Sequence, residues 1–243
     1  MTSSDLWDSE TAERYDEASA FMFAADVLDP AVGFLADLAG DGPALELAIG
    51  TGRVAIPLVE RGVPVSGIEL SRPMVDQLRR KGADIPVVVE DMATATAPGR
   101  FTLVYCVWNS LGNLRTQAEQ VACFRNAARH LEPGGRFVVE LGVPAIRRFP
   151  PGQVAVPFHV GSRHVGFDTL DLVTQQGTSH HYERRPDGTV TYGVSNFRYV
   201  WPAECDLMAQ LADLDLERRV ADWHGAPFTS DSESHVSVWR KAS

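Results

Sequence analysis

Between residues 43 and 141 short apolar runs and helix-like stretches take turns along the chain. The runs are 43-PALELA-48, 63-VPVSGIEL-70, 85-IPVVV-89, 101-FTLVYCV-107 and 136-RFVVEL-141. Runs this short and this apolar suit strands covered on both faces, as in a parallel sheet. The stretches between them carry helix punctuation. A helix from about Arg53 to Arg61 is expected to stop at Gly62, its C′ residue. Ser71 can cap the next helix, with Pro73 in its first turn and Gly82 at its end. Thr116 and Glu119 form a T-x-x-E capping box, and Val121, Phe124, Ala128 and Leu131 follow at helical spacing up to 132-EPGG-135. Strands alternating with helices in this way imply an α/β fold with right-handed crossovers.

The flanks follow other rhythms. Residues 1–30 suggest helix up to a turn at Asp29-Pro30, and 31-AVGFLADLA-39 suggests a second helical piece ending at Gly40. Residues 154–200 are rich in β-branched and aromatic residues. The turn 186-PDGT-189 between 178-TSHHYER-184 and 189-TVTYGVSNFRYVW-201 marks a hairpin, within an antiparallel ribbon of three or four strands. Helix returns at 202-PAECDLMAQLADL-214, where Leu207, Met208 and Leu211 define an apolar face. Two strands, 216-LERRVADW-223 and 235-HVSVWRK-241, close the chain.

Composition removes several function classes. With 243 residues and 44% hydrophobic content, the chain can bury one α/β domain with a small appendage. Its 22 basic residues against 32 acidic ones give a formal charge of −10, which repels a phosphate backbone and argues against a nucleic-acid partner. No segment approaches the roughly 18 uninterrupted apolar residues of a membrane span. The polar, acidic start MTSSDLWDSE lacks the order of a signal peptide. Cys106, Cys123 and Cys205 are odd in number and widely spaced, which supports neither a disulfide framework nor a zinc site. The expected setting is the reducing cytoplasm.

The chemistry concentrates at 46-ELAIGTGR-53, a glycine turn after a strand. Such a turn brings backbone close to a ligand and aims helix N–H groups at it. Gly50, Gly52 and Ala55 satisfy G-x-G-x-x-A, the dinucleotide fingerprint, and Glu69 ends the next strand where a ribose diol would be held, so NAD is one reading. Glu46 points elsewhere. A carboxylate beside a pyrophosphate repels it, whereas a ligand with an ammonium group welcomes one. Glu90-Asp91 closes the third strand where an adenine amino group can be met.

These residues resemble the class I S-adenosylmethionine (SAM)-dependent methyltransferases. The first motif of that family, an acidic residue followed by G-x-G-x-G, stands here as Glu46-Leu47-Ala48-Ile49-Gly50-Thr51-Gly52. Ala48 replaces the first glycine, a substitution that fits where φ is negative. The second motif is matched by 67-GIELS-71, the third by 90-EDM-92, the loop before strand five by 131-LEPGGRF-137, and the segment folding over the cofactor by 12-AERYDE-17. The resemblance implies a Rossmann-like seven-stranded sheet of order 3-2-1-4-5-7-6, its last strand antiparallel, with the ribbon inserted after strand five. It implies that Glu46 takes the methionine ammonium and that Gly50 and Gly52 allow close approach. Glu69 takes the ribose hydroxyls, Asp91 and the Met92 backbone read the adenine edge, and Leu70 and Met74 sandwich the ring. Tyr15 contacts the carboxylate or covers the sulfonium. The product would be S-adenosylhomocysteine (SAH).

The implied domains are an N-terminal helical cap over residues 1–40, a SAM-binding core over 41–150 and 201–243, and a β insert over 151–200 serving as acceptor lid or dimer surface. No D/N-P-P-Y/F follows strand four, so the expected acceptor is a small molecule methylated on N or O. The layout of the insert resembles that of bacterial methyltransferases acting on deoxyamino sugars and other natural products. No single base stands out. Among seven histidines, His180 and His181 occupy opposite faces of one strand, and His224 lies beside Trp223. Asn109 after strand four is a candidate wall of the acceptor pocket. Trp108-Asn109 stands where catechol-type relatives carry metal-binding acidic residues, so no metal is expected. Two competing readings remain at this level, a non-catalytic SAM-binding protein and an NAD-dependent oxidoreductase.

Overall fold

The computed structural model describes residues 7–243. Helical character anticipated for residues 1–6 lies outside the described residues. Two sheets organise the chain. The larger has seven strands, β1 (Ala44–Leu47), β2 (Val65–Ile68), β3 (Val87–Val88), β4 (Phe101–Cys106), β5 (Leu131–Gly142), β10 (Leu214–Val220) and β11 (Ser234–Lys241). Their order is β10-β11-β5-β4-β1-β2-β3. Strands β1 to β5 pair in parallel, while β11 runs antiparallel to both β5 and β10. This is the expected 3-2-1-4-5-7-6 order with its reversed last strand.

Helices cover both faces, which is why the central strands tolerate no polar alternation. β1 is buried along its whole length. One core layer gathers Phe124 of helix α5 (Gln117–His130), Phe137 and Trp239, with edge-to-face ring centroids 5.1 and 5.3 Å from Phe124. The other packs Val32 and Leu35 of α2 (Ala25–Ala39), Leu58 of α3 (Ala55–Glu60) and Leu78 of α4 (Arg72–Arg80) against Leu103 and Val138. Each fully buried side chain of this kind contributes about 2 kcal/mol by removal from water.

The punctuation behaves as its chemistry requires. Ser71 Oγ accepts from Met74 N at 3.3 Å, and Thr116 and Glu119 complete the capping box. Gly62 and Gly82 follow α3 and α4 with φ of 89° and 77°. Three expectations are corrected. Asp29-Pro30 does not turn the chain: Pro30 lies within the second turn of α2, and the break falls earlier, between α1 (Ser9–Ala18) and α2, at a 3-10 segment Ala20–Phe23. Pro30 is the sixth residue of α2, so the helix continues past it at the loss of the one bond an N–H there would make to the Asp26 carbonyl. Helix α6 stops at Pro202–Gln210, and its buried residues are Cys205, Met208 and Ala209. Leu207 and Leu211 are 60% and 56% exposed, because the short helix presents the face carrying Cys205 to α5 and β10.

The second sheet holds β6 (Ala155–Val160), β7 (His164–Asp171), β8 (Gln176–Arg184) and β9 (Val190–Arg198), in that order and antiparallel throughout. The ring of Phe197 lies over Gly177, where a Cβ would sit 2.3 Å from Phe197 Cζ. Glycine inside a strand here makes room for a cross-strand aromatic. The root of this sheet is tied to the core by buried polar contacts. Arg198 is 5% exposed and donates to Gln120 at 2.5 Å, Gln175 at 3.0 Å and Glu204 at 2.6 Å.

Candidate functional site

The glycine turn joins β1 to α3 at the carboxyl ends of the strands, where the order reverses between β1 and β4. Gly50 and Gly52 have φ of 57° and 81°. Gly50 faces open space, whereas a Cβ on Gly52 would collide with Leu78 Cδ1 at 2.3 Å, so Gly52 serves helix packing. Ala48 also takes a positive φ, 58°. The condition under which alanine fits the first glycine position is therefore not met, and the turn carries about 1 kcal/mol of left-handed strain. Unrelaxed backbone of this kind persists where surrounding structure over-determines it.

Two carboxylates meet behind this turn. Glu46 is 3% exposed and pairs in register with Gly67 on one side and Tyr105 on the other. Tyr105 Oη donates to Glu46 Oε2 at 3.0 Å. Burial pushes the Glu46 carboxyl up to about 8, against the lowering effect of the Tyr105 bond. Glu69 is also raised by burial, opposed by backbone donors. Its Oε2 accepts from Gly50 N at 2.9 Å and its Oε1 from Ser71 N at 2.8 Å, tying the ends of β1 and β2 together.

A cleft runs past this pair. Tyr15, Ala48, Gly50, Glu69, Leu70, Met74, Asp91 and Met92 line it. Glu46 and Gly52 sit behind the lining rather than in it. Asp91 Oδ1 accepts from Ala93 N at 2.8 Å, and Asn126 donates to the Met92 carbonyl at 2.8 Å, fixing the turn after β3. Helix α1 crosses the glycine turn and is latched to it. Thr51 Oγ1 donates to Asp16 Oδ1 at 2.6 Å, Lys81 forms an ion pair with Asp16, and Lys81 Nζ donates to the Thr51 carbonyl at 2.8 Å. Trp7 meets Tyr15 edge to face at 5.5 Å, and its carbonyl accepts from Ser71 Oγ at 2.6 Å. Asp16, Lys81 and Trp7 were not among the expected site residues. Their hydrogen-bond partners lie 30 to 64 positions away in sequence, beyond the reach of local pattern.

Beyond the cleft lies a cavity of about 580 Å³ between the two sheets. Trp7, Tyr15, Ser110 and Asn113 line both spaces, so the two adjoin along these residues. Trp108 and Asn109 form part of its wall in consecutive left-handed conformations, φ 54° and 60°. Glu140 and Asn109 hold this strained turn: Trp108 N donates to Glu140 Oε2 at 2.8 Å and Gly142 N to Asn109 Oδ1 at 2.6 Å. Glu140 Oε1 in turn accepts from Trp223 Nε1 at 2.7 Å.

The histidines divide by face. His180 lies on the side of the small sheet away from the cavity lining, stacked on Phe167 at 4.7 Å and bonded to Tyr192 Oη at 2.7 Å. His181 lies on the other side, in a shallower depression beside Tyr15 and Arg14, with its ring stacked on His164. Burial and then the neighbouring His164 lower the pKa of His181. His224 is exposed and lines neither cleft nor cavity. His130 Nε2 accepts from Ala97 N at 2.9 Å in a structural bond. Burial lowers His235 to about 4, so it is neutral in the core.

Comparison with known proteins gives this geometry its family. Residues 44–135 match the model of a methyltransferase domain. The structure superposes on the CcbJ methyltransferase from Streptomyces caelestis with a TM-score of 0.80 at 36% identity, covering 90% of this chain and 96% of that one. Cypemycin N-terminal methyltransferase from Streptomyces sp is 28% identical over 98% of both chains. The dTDP-3-amino-3,6-dideoxy-alpha-D-glucopyranose N,N-dimethyltransferase of Streptomyces fradiae is 31% identical over 63% of this chain and 62% of its own. Neither the oxidoreductase nor the non-catalytic reading finds support in these relatives. The chain belongs to the SAM-dependent methyltransferases, and it transfers a methyl group from SAM.

Proposed function

We propose that this enzyme methylates a nitrogen of a small natural-product amine, and that the cleft holds SAM while the cavity holds the acceptor. The observation that carries this reading is the boundary that the two spaces share at Trp7, Tyr15, Ser110 and Asn113. The relatives' names support nitrogen as the target, since one acts on a peptide N-terminus and another on an amino sugar.

The donor set in the cleft suits SAM. Glu46, behind the cleft lining, is a buried carboxyl with one side-chain donor, Tyr105, and would supply the countercharge to an ammonium that reaches the glycine turn. Glu69, held by Gly50 N and Ser71 N, keeps acceptor capacity for a diol. Asp91 and the Met92 backbone stand where an adenine edge is read, with Leu70 and Met74 beside the ring. Gly50 leaves the approach open, Gly52 and Ala48 shape the turn, and Tyr15 covers the junction with the cavity. The cofactor supplies an electrophilic methyl on sulfonium. What remains for the chain is to align the two partners in line and to let one proton per transfer leave the acceptor. Asn109 serves as a wall of the acceptor cavity, and His181 shares a face of the small sheet with the lining residues Asp168 and Ser179.

We further read residues 1–40 as the cap over the cofactor, 41–150 with 201–243 as the core, and 151–200 as the platform over the acceptor, its outer face suited to a homodimer. The acidic surface supports an acceptor other than nucleic acid, and three buried free thiols suit a cytoplasmic setting. Among the described residues no helix is long and apolar enough to cross a membrane.

Calorimetric titration with SAM, SAH and NADH, repeated on Glu46→Ala, tests the cofactor assignment. Saturable binding of SAM and SAH that drops at least tenfold in the variant supports it. Undiminished binding in Glu46→Ala removes Glu46 from the site. Transfer of labelled methyl from SAM to amines, compared with their hydroxyl counterparts, tests the nitrogen target.

A further inference from the structure

The lining of the acceptor cavity is mostly apolar and aromatic, with Trp108, Leu141, Phe149, Leu170 and Phe197 among its walls. Two charged residues touch it. Arg198 is 5% exposed, and its guanidinium is spent on Gln120, Gln175 and Glu204. Asp168 is different. It stands on β7 directly opposite Ser179 of β8, which is opposite Ser195 of β9, and all three line the cavity. Ser179 Oγ donates to Asp168 Oδ1 at 2.6 Å, which fixes the carboxyl plane. No cation pairs with Asp168 among the described residues.

A half-buried carboxylate on the cavity wall, with no Lys, Arg or His within ion-pair distance among the described residues and His181 on the same face feeling its charge without touching it, is a recognition element for a cation. The same chamber offers no uncommitted cation to a phosphate. We infer that Asp168 is the specificity-determining residue for the acceptor, and that the acceptor enters this cavity as an organic ammonium whose body within the cavity is apolar and free of phosphate. The inference rests on the cavity being the acceptor site, and it deepens that reading by naming the charge of the ligand. A phosphate-bearing portion of an acceptor has no partner within these walls. Asp168 binds and orients; the proton that an ammonium must lose before attack leaves to solvent through the open mouth, so no co-reactant is required.

The test uses three probes with one aromatic body on the whole chain saturated with SAH: the isosteric pair benzylammonium and benzyl alcohol, and the bulkier phenyl phosphate. Ligand-observed NMR gives each dissociation constant, in wild type, Asp168→Asn and Ser179→Ala. The expected order is benzylammonium tightest, by about tenfold over benzyl alcohol, with no saturable binding of phenyl phosphate. Asp168→Asn keeps the shape and the bond to Ser179 and is expected to erase the tenfold preference. Ser179→Ala keeps the charge and is expected to retain most of it. Equal affinity for amine and alcohol in wild type, a preference that survives Asp168→Asn, or no saturable binding of benzylammonium would each overturn the inference. SAH binding in the same samples reports separately on the cofactor site. An enzyme that holds benzylammonium through Asp168 yet methylates only hydroxyls would break the nitrogen assignment and leave this one standing.

Discussion

Glu46 shows how one residue carries information at two levels. Its place within an apolar strand before a glycine turn marks it out in the sequence, because an isolated charge there is costly. Its state depends on the fold: β4 brings Tyr105 alongside it, and burial pushes the carboxyl up to about 8 from an ordinary 4.5. A pKa raised on folding means that the native state holds a proton that the unfolded chain has released. The associated stability is complete below the unfolded value and is lost as pH rises through about 8. The ligand-free enzyme should therefore lose thermal stability from this residue between pH 5 and 8. Glu69 shifts in the same direction, while buried His130 and His235, both lowered, act in the opposite sense. The difference between wild type and Glu46→Gln isolates the term. The melting-temperature gap between the two is expected to move in favour of the variant as pH rises, and a gap constant across this range would show that Glu46 is ionised in the ligand-free protein. Ala48 marks the limit of reading at this scale. The motif is legible, but the φ of one residue is set by the strands and helix on either side of the turn, and here it is left-handed.

At the scale of elements, caps and breakers were readable because each acts within a few residues: Ser71, Thr116, Gly62 and Gly82 all do what their local chemistry dictates. Pro30 and α6 were misread for the opposite reason. Whether proline ends a helix depends on what its neighbours pack against, and the buried face of a nine-residue helix is chosen by α5 and β10. Helix α1 is the element whose function is least visible in its own sequence. It has one buried residue, Ala12, and is held over the glycine turn chiefly by Asp16 with Thr51 and Lys81. Because Asp16 and Lys81 are partly exposed, this latch contributes about 1 kcal/mol. Asp16→Ala is expected to speed amide hydrogen exchange across residues 9–18 about fivefold and to weaken SAH binding by a similar factor, with the global melting temperature nearly unchanged. Exchange in α1 that is insensitive to the substitution would show that Trp7 and Tyr15, rather than the latch, hold the helix down.

On the scale of the whole molecule, the two sheets share one cavity, since residues of each line it, and the proposed chemistry would need them to keep a fixed relation. The join is polar. Arg198 at the end of β9 reaches Gln120 on α5 and Glu204 on α6, Gln120 donates back to the carbonyls of Leu111 and Leu114, and Arg115 pairs with Gln176. The carbonyls at Leu111 and Leu114 belong to the loop whose Ser110 and Asn113 line both cleft and cavity. Local sequence announces the small sheet through its Pro-Asp-Gly turn and its alternation, but not this join, which depends on partners as far as 78 positions apart. A buried ion pair of this sort adds little net stability relative to apolar residues, but breaking one half of it is costly. Arg198→Met should lower the free energy of unfolding by about 3 kcal/mol in urea titration, because Glu204 is left partly buried without its charge partner. The double variant Arg198→Met with Glu204→Gln should recover much of that loss. If the join also sets the cavity, Arg198→Met raises KM for the acceptor more than it changes the affinity for SAM, whose proposed cleft lies on the other sheet. An equal effect on both ligands would mean that the two sheets respond as one body, and that the platform has no independent position for the join to fix.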